Sequence, residues 1–121
     1  MIKSIAFTGY PTKNMKRARE FFEGLLGLVP SDEFGPVTDE TKYIEYNIGE
    51  GTLMVGETDT WLPSKDGPNI AFEVDNLPEL IEQIRTFGSE VVMEQMDFPK
   101  CSMALVRDAD GNLLTLHQKK V

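Results

Sequence analysis

The 121-residue sequence predicts an α+β fold made of two tandem βαβββ modules, with curved antiparallel sheets around a trough. Three observations predict it. Two amphipathic helical stripes occur, each opened by an asparagine and closed by a glycine. Each stripe follows a strand-forming run and precedes further runs separated by turn residues. The two cap asparagines, Asn14 and Asn76, stand 62 residues apart (76 − 14), and on that shift Met15 falls on Leu77, Ala18 on Leu80 and Phe22 on Ile84.

Residues 2–10 are rich in strand formers and stop at Pro11, so they are expected to form the first strand. Asn14 then caps a helix whose apolar face is Met15, Ala18, Phe21, Phe22, Leu25 and Leu26, closed by Gly27. Residues 28–30 read as a short extended piece, and residues 31–40 as an irregular loop at the trough mouth. Residues 41–48 alternate as a strand, Gly49-Glu50-Gly51 is a tight turn, and residues 52–55 return.

The second half repeats the order. Residues 69–74 form a strand, and Asn76 caps a helix carrying Leu77, Leu80, Ile81, Ile84 and Phe87, ended by Gly88. Glu79 stands where a capping box needs it, and Pro78 falls in the first turn, where a missing N–H costs little. Strands follow at 90–94, 102–107 and 112–118, with Asp108-Ala109-Asp110-Gly111 as the last turn. The expectation is one domain over 1–121, with module one at about 1–58, a linker at about 58–68 and module two at about 69–121. Each helix buries its stripe on one face of its own sheet. The other face then needs a second module, a partner chain or a ligand, and the resulting trough suits a small molecule.

Composition narrows the function classes. Twelve basic against twenty acidic residues give a net charge of −8, which disfavours nucleic acid and anionic membrane surfaces as partners. No apolar run approaches the ~20 residues of a membrane span, and the first residues carry no apolar signal segment. Cys101 is the single cysteine, so no internal disulfide forms and a cytoplasmic location is expected.

Three segments, NMKRAREFFEGLLG at 14–27, NIAFEVDN at 69–76 and RDADGNLLTLH at 107–117, carry a resemblance. With the strand order, they make the chain similar to the vicinal oxygen chelate superfamily of glyoxalase I, extradiol dioxygenases, and bleomycin and fosfomycin resistance proteins. That resemblance implies the glyoxalase-like fold, and for many members a divalent metal held by His and Glu. Carried over, the first-strand histidine position falls on Phe7 and the fifth-strand histidine on Asn69. The last-strand glutamate falls on Thr115, and a fourth position lies near Met54 or Val55. Phenylalanine and aliphatics bring no donor atom, and amide or hydroxyl oxygens serve zinc, nickel and iron poorly. No metal or other cofactor is therefore expected.

The lone imidazole, His117, lies two residues beyond Thr115 and, by strand period, faces the same way. Glu73 shares the face of Asn69. His117 and Glu73 are the candidate acid–base pair, and with Glu57 they are the candidate rebuilt metal site. Cys101 beside Lys100 is a possible thiolate or a small buried hydrophobe. Trp61, in the segment joining the halves, either stacks on a ligand or plugs the sheet end. Met93 and Met103 read as core, and Met96, in a loop at 95–99, as pocket. The Asp108–Gly111 turn is too short for a calcium loop.

The preferred reading is a metal-free, sequestration- or resistance-type protein that binds a small organic molecule through Phe7, Met54, Trp61, Asn69, Glu73, Met96, Thr115 and His117. The negative charge favours a cationic ligand, as the similar bleomycin-sequestering proteins imply. Enzymatic activity stands open and is disfavoured. The alternatives are a metal-dependent lyase, isomerase or dioxygenase with a rebuilt site, and a dimeric interaction module with a self-filled cavity. Open sheet edges and the resemblance both point to a homodimer.

Overall fold

The computed structural model describes every residue except Phe34, Pro68 and Val121. The chain divides into two compact units, Met1–Pro63 and Ser64–Val121, a division that falls inside the segment read as a linker.

In the first unit β1 (Thr8–Pro11) leads to α1 (Met15–Arg19), which continues as a π-helical segment, Glu20–Leu25. β2 (Tyr43–Ile48) and β3 (Gly51–Gly56) follow, and the sheet order is β1-β3-β2. In the second unit β4 (Ile70–Glu73), α2 (Leu77–Phe87), β5 (Val91–Asp97), β6 (Cys101–Arg107) and β7 (Leu113–Lys119) form a sheet in the order β4-β7-β6-β5. In both units the first strand pairs with the last, and that pair is parallel. The sheets are thus mixed, where wholly antiparallel ones were expected. In the second unit the chain reverses four times from β4 through α2, β5 and β6 to β7, and an even number of reversals leaves the first and last strands running the same way.

The first strand is shorter than the 2–10 run. Thr8 pairs with Leu53 and Pro11 with Gly56, and β3 begins at Gly51, so residues 1–5 run past the end of their partner. Ile2 and Ile5 are accordingly exposed. The extended piece at 28–30 reduces to one bridge, Pro30 to Tyr46. Proline has no N–H to donate to a ladder. β5 extends to Asp97, through two register shifts, so Met96 sits on a strand and not in a loop. The Asp97 carboxylate, accepting from Ser102 Oγ and Gln95 Nε2, secures that end of the hairpin.

Both helix starts follow their asparagine caps. Asn14 Oδ1 accepts from Arg17 N at 3.1 Å, and Asn76 Oδ1 from Glu79 N at 3.3 Å. Glu79 reaches back to the Asn76 side-chain amide, at 2.9 Å, where a capping box would use the cap's backbone N–H. Each helix also has its first amide held from the end of its sheet. Met15 N donates to Glu57 Oε1 and Leu77 N to Gln118 Oε1, both at 2.8 Å. Gly88, at φ 98°, ends α2 in the left-handed conformation that glycine adopts without strain.

The cores follow the predicted stripes. Met15, Ala18, Phe21 and Phe22 pack with Tyr10, Ile44, Tyr46, Leu53 and Val55 in the first unit. Leu77, Ile81 and Ile84 pack with Ala104, Val106, Leu114 and Leu116 in the second. Phe22 stacks tilted on Tyr46, with ring centroids 6.0 Å apart. The Tyr46 hydroxyl donates to Glu23 Oε2 at 2.9 Å, and burial, with Glu23 alongside, raises the phenol well above its ordinary range. Among the described residues no helix is long and apolar enough to cross a membrane.

The turn at 108–111 is built around one carboxylate. Asp108 Oδ1 accepts from the amides of Asp110 and Asn112, and Oδ2 from Asn112 Nδ2, each at 2.9 Å. Asp108 is buried, and that burial pushes its pKa from 3.8 up to about 6 despite these donors.

Two stability predictions follow from this packing. Leu53→Ala removes a fully buried side chain from the central strand β3 and is expected to cost about 2–5 kcal/mol in urea denaturation. For Asp108 the folded pKa lies above the unfolded one, so its stabilising share is full below about pH 4 and is lost as pH rises through about 6. The stability of the native chain relative to Asp108→Asn should therefore fall by up to about 3 kcal/mol between pH 4 and 7. A pH-independent difference would refute the raised pKa.

Candidate functional site

Strand alternation divides each sheet into a helix-covered face and an open one. In the first unit Tyr10, Val55 and Ile44 form one cross-strand row and are buried against the helix. The adjacent row, Gly9, Met54 and Glu45, points the other way, as does the row Pro11, Gly56 and Tyr43. Trp61 lies over the two glycines. A Cβ at Gly9 would stand 3.0 Å from Trp61 Cη2, and one at Gly56 3.0 Å from both Trp61 Cζ3 and Tyr43 Cε1. A Cβ at either position would make the indole give way by a few tenths of an ångström, so Trp61 packs closely on the two glycines. Met54 Cε approaches the same Gly9 position.

Beside that seat is a cleft of about 400 Å³. Phe7, Tyr43, Glu45 and Met54 line it from the sheet side, and Ser31, Gly35, Pro36, Val37 and Thr41 from the loop after the helix. Hydrogen bonds position this loop: Ser31 N donates to Glu45 O at 2.8 Å, and Thr38 and Thr41 close a turn on each other. Phe7 and Met54, both expected in a pocket, thus share one, and Phe7 is 48% exposed. The loop at 31–40 is where the sequence placed a trough mouth, whereas Tyr43 and Glu45 were not singled out as pocket residues. The alternation in 43–48 did carry the signal, since Tyr43 and Glu45 fall opposite Ile44 and Tyr46.

In the second unit the open face gathers the polar candidates. Glu73, His117, Met103 and Met96 follow one another across β4, β7, β6 and β5 as register partners. Met103, expected in the core, is instead half-buried on this row. His117 Nδ1 lies 2.6 Å from Glu73 Oε1, and Glu73 Oε2 accepts from Lys119 N at 2.7 Å. The Lys119 amide, and then His117, hold the Glu73 carboxyl below its ordinary range. A carboxylate partner assigns the proton to Nδ1 and leaves Nε2 as the acceptor of the neutral ring. One row away, Thr115 Oγ1 donates to Asn69 Oδ1 at 2.9 Å.

Glu57 belongs to the first unit, and its carboxylate is engaged there. Its oxygens are engaged by Met15 N and by Lys42 Nζ at 3.0 Å, and the Met15 amide first, then Lys42, lower its pKa. Cys101 is a free, half-buried thiol at the start of β6.

The positions that the resemblance assigns to metal ligands do not fit a divalent metal. Phe7 and Val55 bring no donor atom and Met54 only a thioether, while Asn69 and Thr115 bond to each other. Among the described residues no three His, Cys, Asp or Glu side chains stand together as a ligand set.

Comparison with known proteins places the chain. The family model described as Glyoxalase/Bleomycin resistance protein/Dioxygenase superfamily matches residues 4–116. No curated protein sequence matches significantly. Among solved structures, the genomically encoded fosfomycin resistance protein FosX from Listeria monocytogenes is 18% identical, with a TM-score of 0.75 over 100% of this chain and 94% of that one. TnmS3, an antibiotic binding protein from Streptomyces sp. CB03234, is 15% identical, with a TM-score of 0.71 over 98% of each chain. A lactoylglutathione lyase from Agrobacterium tumefaciens is 14% identical, with a TM-score of 0.70 over 98% of this chain and 95% of that one. At these identities the likeness is one of fold. The family match over nearly the whole length, joined to the twofold repeat of one supersecondary unit, means that this chain belongs to the glyoxalase, bleomycin resistance protein and dioxygenase superfamily.

Proposed function

We propose that the protein binds a small organic molecule with an apolar body and does so without a metal, holding its ligand rather than transforming it. The observation that carries this reading is the Asn69–Thr115 hydrogen bond, at two positions where relatives that use a metal would need donors. The contact residues proposed are Phe7, Met54 and Trp61 in the first unit and Asn69, Glu73, Met96, Thr115 and His117 in the second. Phe7 and Met54 supply apolar surface in the cleft, and His117 Nε2 supplies a hydrogen-bond acceptor whose ring is oriented by Glu73. The fold alone does not choose between binding and catalysis, because a lyase, a resistance protein and an antibiotic binding protein all share it.

Within the same proposal the protein is a cytoplasmic homodimer. The open edges of short strands and the exposed Ile2, Ile5 and Val29 favour a partner chain.

Native mass spectrometry of the purified protein, before and after incubation with zinc, nickel, iron(II) and manganese, tests both parts. The expected result is a mass of twice 13.6 kDa with no metal taken up. Stoichiometric uptake of one metal per chain would overturn the metal-free reading. A single-chain mass at micromolar concentration, confirmed by sedimentation, would overturn the dimer.

A further inference from the structure

We infer that the cleft of the first unit takes an organic cation with an aromatic or aliphatic body, and that Glu45 is the residue that selects for its charge. The inference rests on the small-molecule reading above and names the ligand class.

The cleft has the dimensions of a small-molecule site, about 400 Å³. Its walls are chiefly apolar or aromatic, with Phe7, Val37, Tyr43 and Met54 facing the space. Among the described lining residues Glu45 is the sole carboxylate, and none is a lysine, arginine or histidine. Its place is fixed by the strand, since it pairs with Met54 and its carbonyl accepts from Ser31 N at 2.8 Å.

Its side chain is unengaged. Among the described residues the Glu45 carboxylate makes no ion pair and no hydrogen bond. Other glutamates of the same unit are committed: Glu23 to Arg19 and Tyr46, Glu57 to Met15 N and Lys42. An unpaired carboxylate beside apolar walls discriminates by what replaces its water. A neutral ligand strips hydration without return, an anion adds repulsion, and a cation restores a partner. Phe7 and Tyr43, which line the same cleft, are aromatic and suit a cationic ligand. The net charge of −8 adds long-range attraction that draws cations to the surface without choosing the place.

The test uses proflavine, a planar aromatic monocation, and 1-anilinonaphthalene-8-sulfonate, an aromatic anion, in fluorescence titrations of the full chain. Glu45→Gln keeps the shape of the side chain and removes its charge. Glu50→Gln, in the exposed turn, removes the same charge away from the cleft. Thermal midpoints confirm that both variants fold. Proflavine should bind at least about ten-fold more tightly than the anion, Glu45→Gln should lose about ten-fold for proflavine, and Glu50→Gln should stay within about two-fold. Equal losses in the two variants, an unchanged Glu45→Gln, or equal binding of both dyes would overturn the inference while leaving small-molecule binding standing. Failure of both dyes to bind the native chain would sink that broader reading as well.

Discussion

The tie on which the rest of each unit depends is the hydrogen bond from the first helical amide to a side chain at the end of the closing strand. Met15 N meets Glu57 just past β3, and Leu77 N meets Gln118 within β7. Burial of an apolar stripe holds a helix to a sheet but does not by itself choose its phase, because the driving force is non-directional. An unsatisfied amide at the helix start needs a partner, and a partner on the last strand sets where the helix begins over the sheet. The last strand is also the one that pairs in parallel with the first. One contact therefore coordinates the helix and both strands that close the unit. Separations of 42 and 41 residues show it to be part of the repeat.

The two helices solve the same packing problem differently. The second stays α-helical and ends at Gly88, burying Leu77, Ile81 and Ile84 at regular steps. The first carries two adjacent phenylalanines, and after five α-helical residues it widens into a π-helical segment. The bond from Leu26 N to Phe21 O, at 3.0 Å, is the wide turn itself. Phe21 and Phe22 are both buried in it, with their rings edge to face at 5.2 Å. The widening also leaves Glu23 between Arg19 and the buried hydroxyl of Tyr46. A tyrosine in this core needs an acceptor, and Glu23 provides it from the helix edge.

The repeat was legible because it rests on local signals: caps, apolar steps and turn residues all fall within one element. Asn14, Asn76 and Gly88 do in the structure what their types predict. What local pattern could not supply was the length of each partner strand. Residues 2–7 look like a strand, yet β3 begins too late to pair most of them. Met96 reads as a loop residue until the register shifts of β5 and the Asp97–Ser102 contact extend the hairpin. Glu57 was weighed as a metal ligand from its place at the end of a strand, and its partner at Met15, 42 residues away, came only with the fold. The pairs Asn69–Thr115 and Glu73–His117 were visible in part, since strand period placed their members on one face, but their cross-strand registers came only with the fold.

The open faces of the two sheets differ in how far their polar groups are already spent, and this bears on where recognition originates. In the second unit Asn69 holds Thr115, and Glu73 holds both His117 and the Lys119 amide. A ligand that engages those atoms exchanges one hydrogen bond for another, so the net gain from each is small. The free acceptor of His117 is the exception there. In the first unit the Glu45 carboxylate, which lines the cleft, has no partner to give up among the described residues. In the proposed function, apolar contact with Phe7 and Met54 supplies affinity for many bodies, because burial is proportional to area and indifferent to identity. Discrimination among those bodies must come from unspent polar groups. On the metal-free reading proposed above, with Phe7, Asn69 and Thr115 at the positions the resemblance assigns to ligands, selectivity rests on charge and shape rather than on coordination geometry.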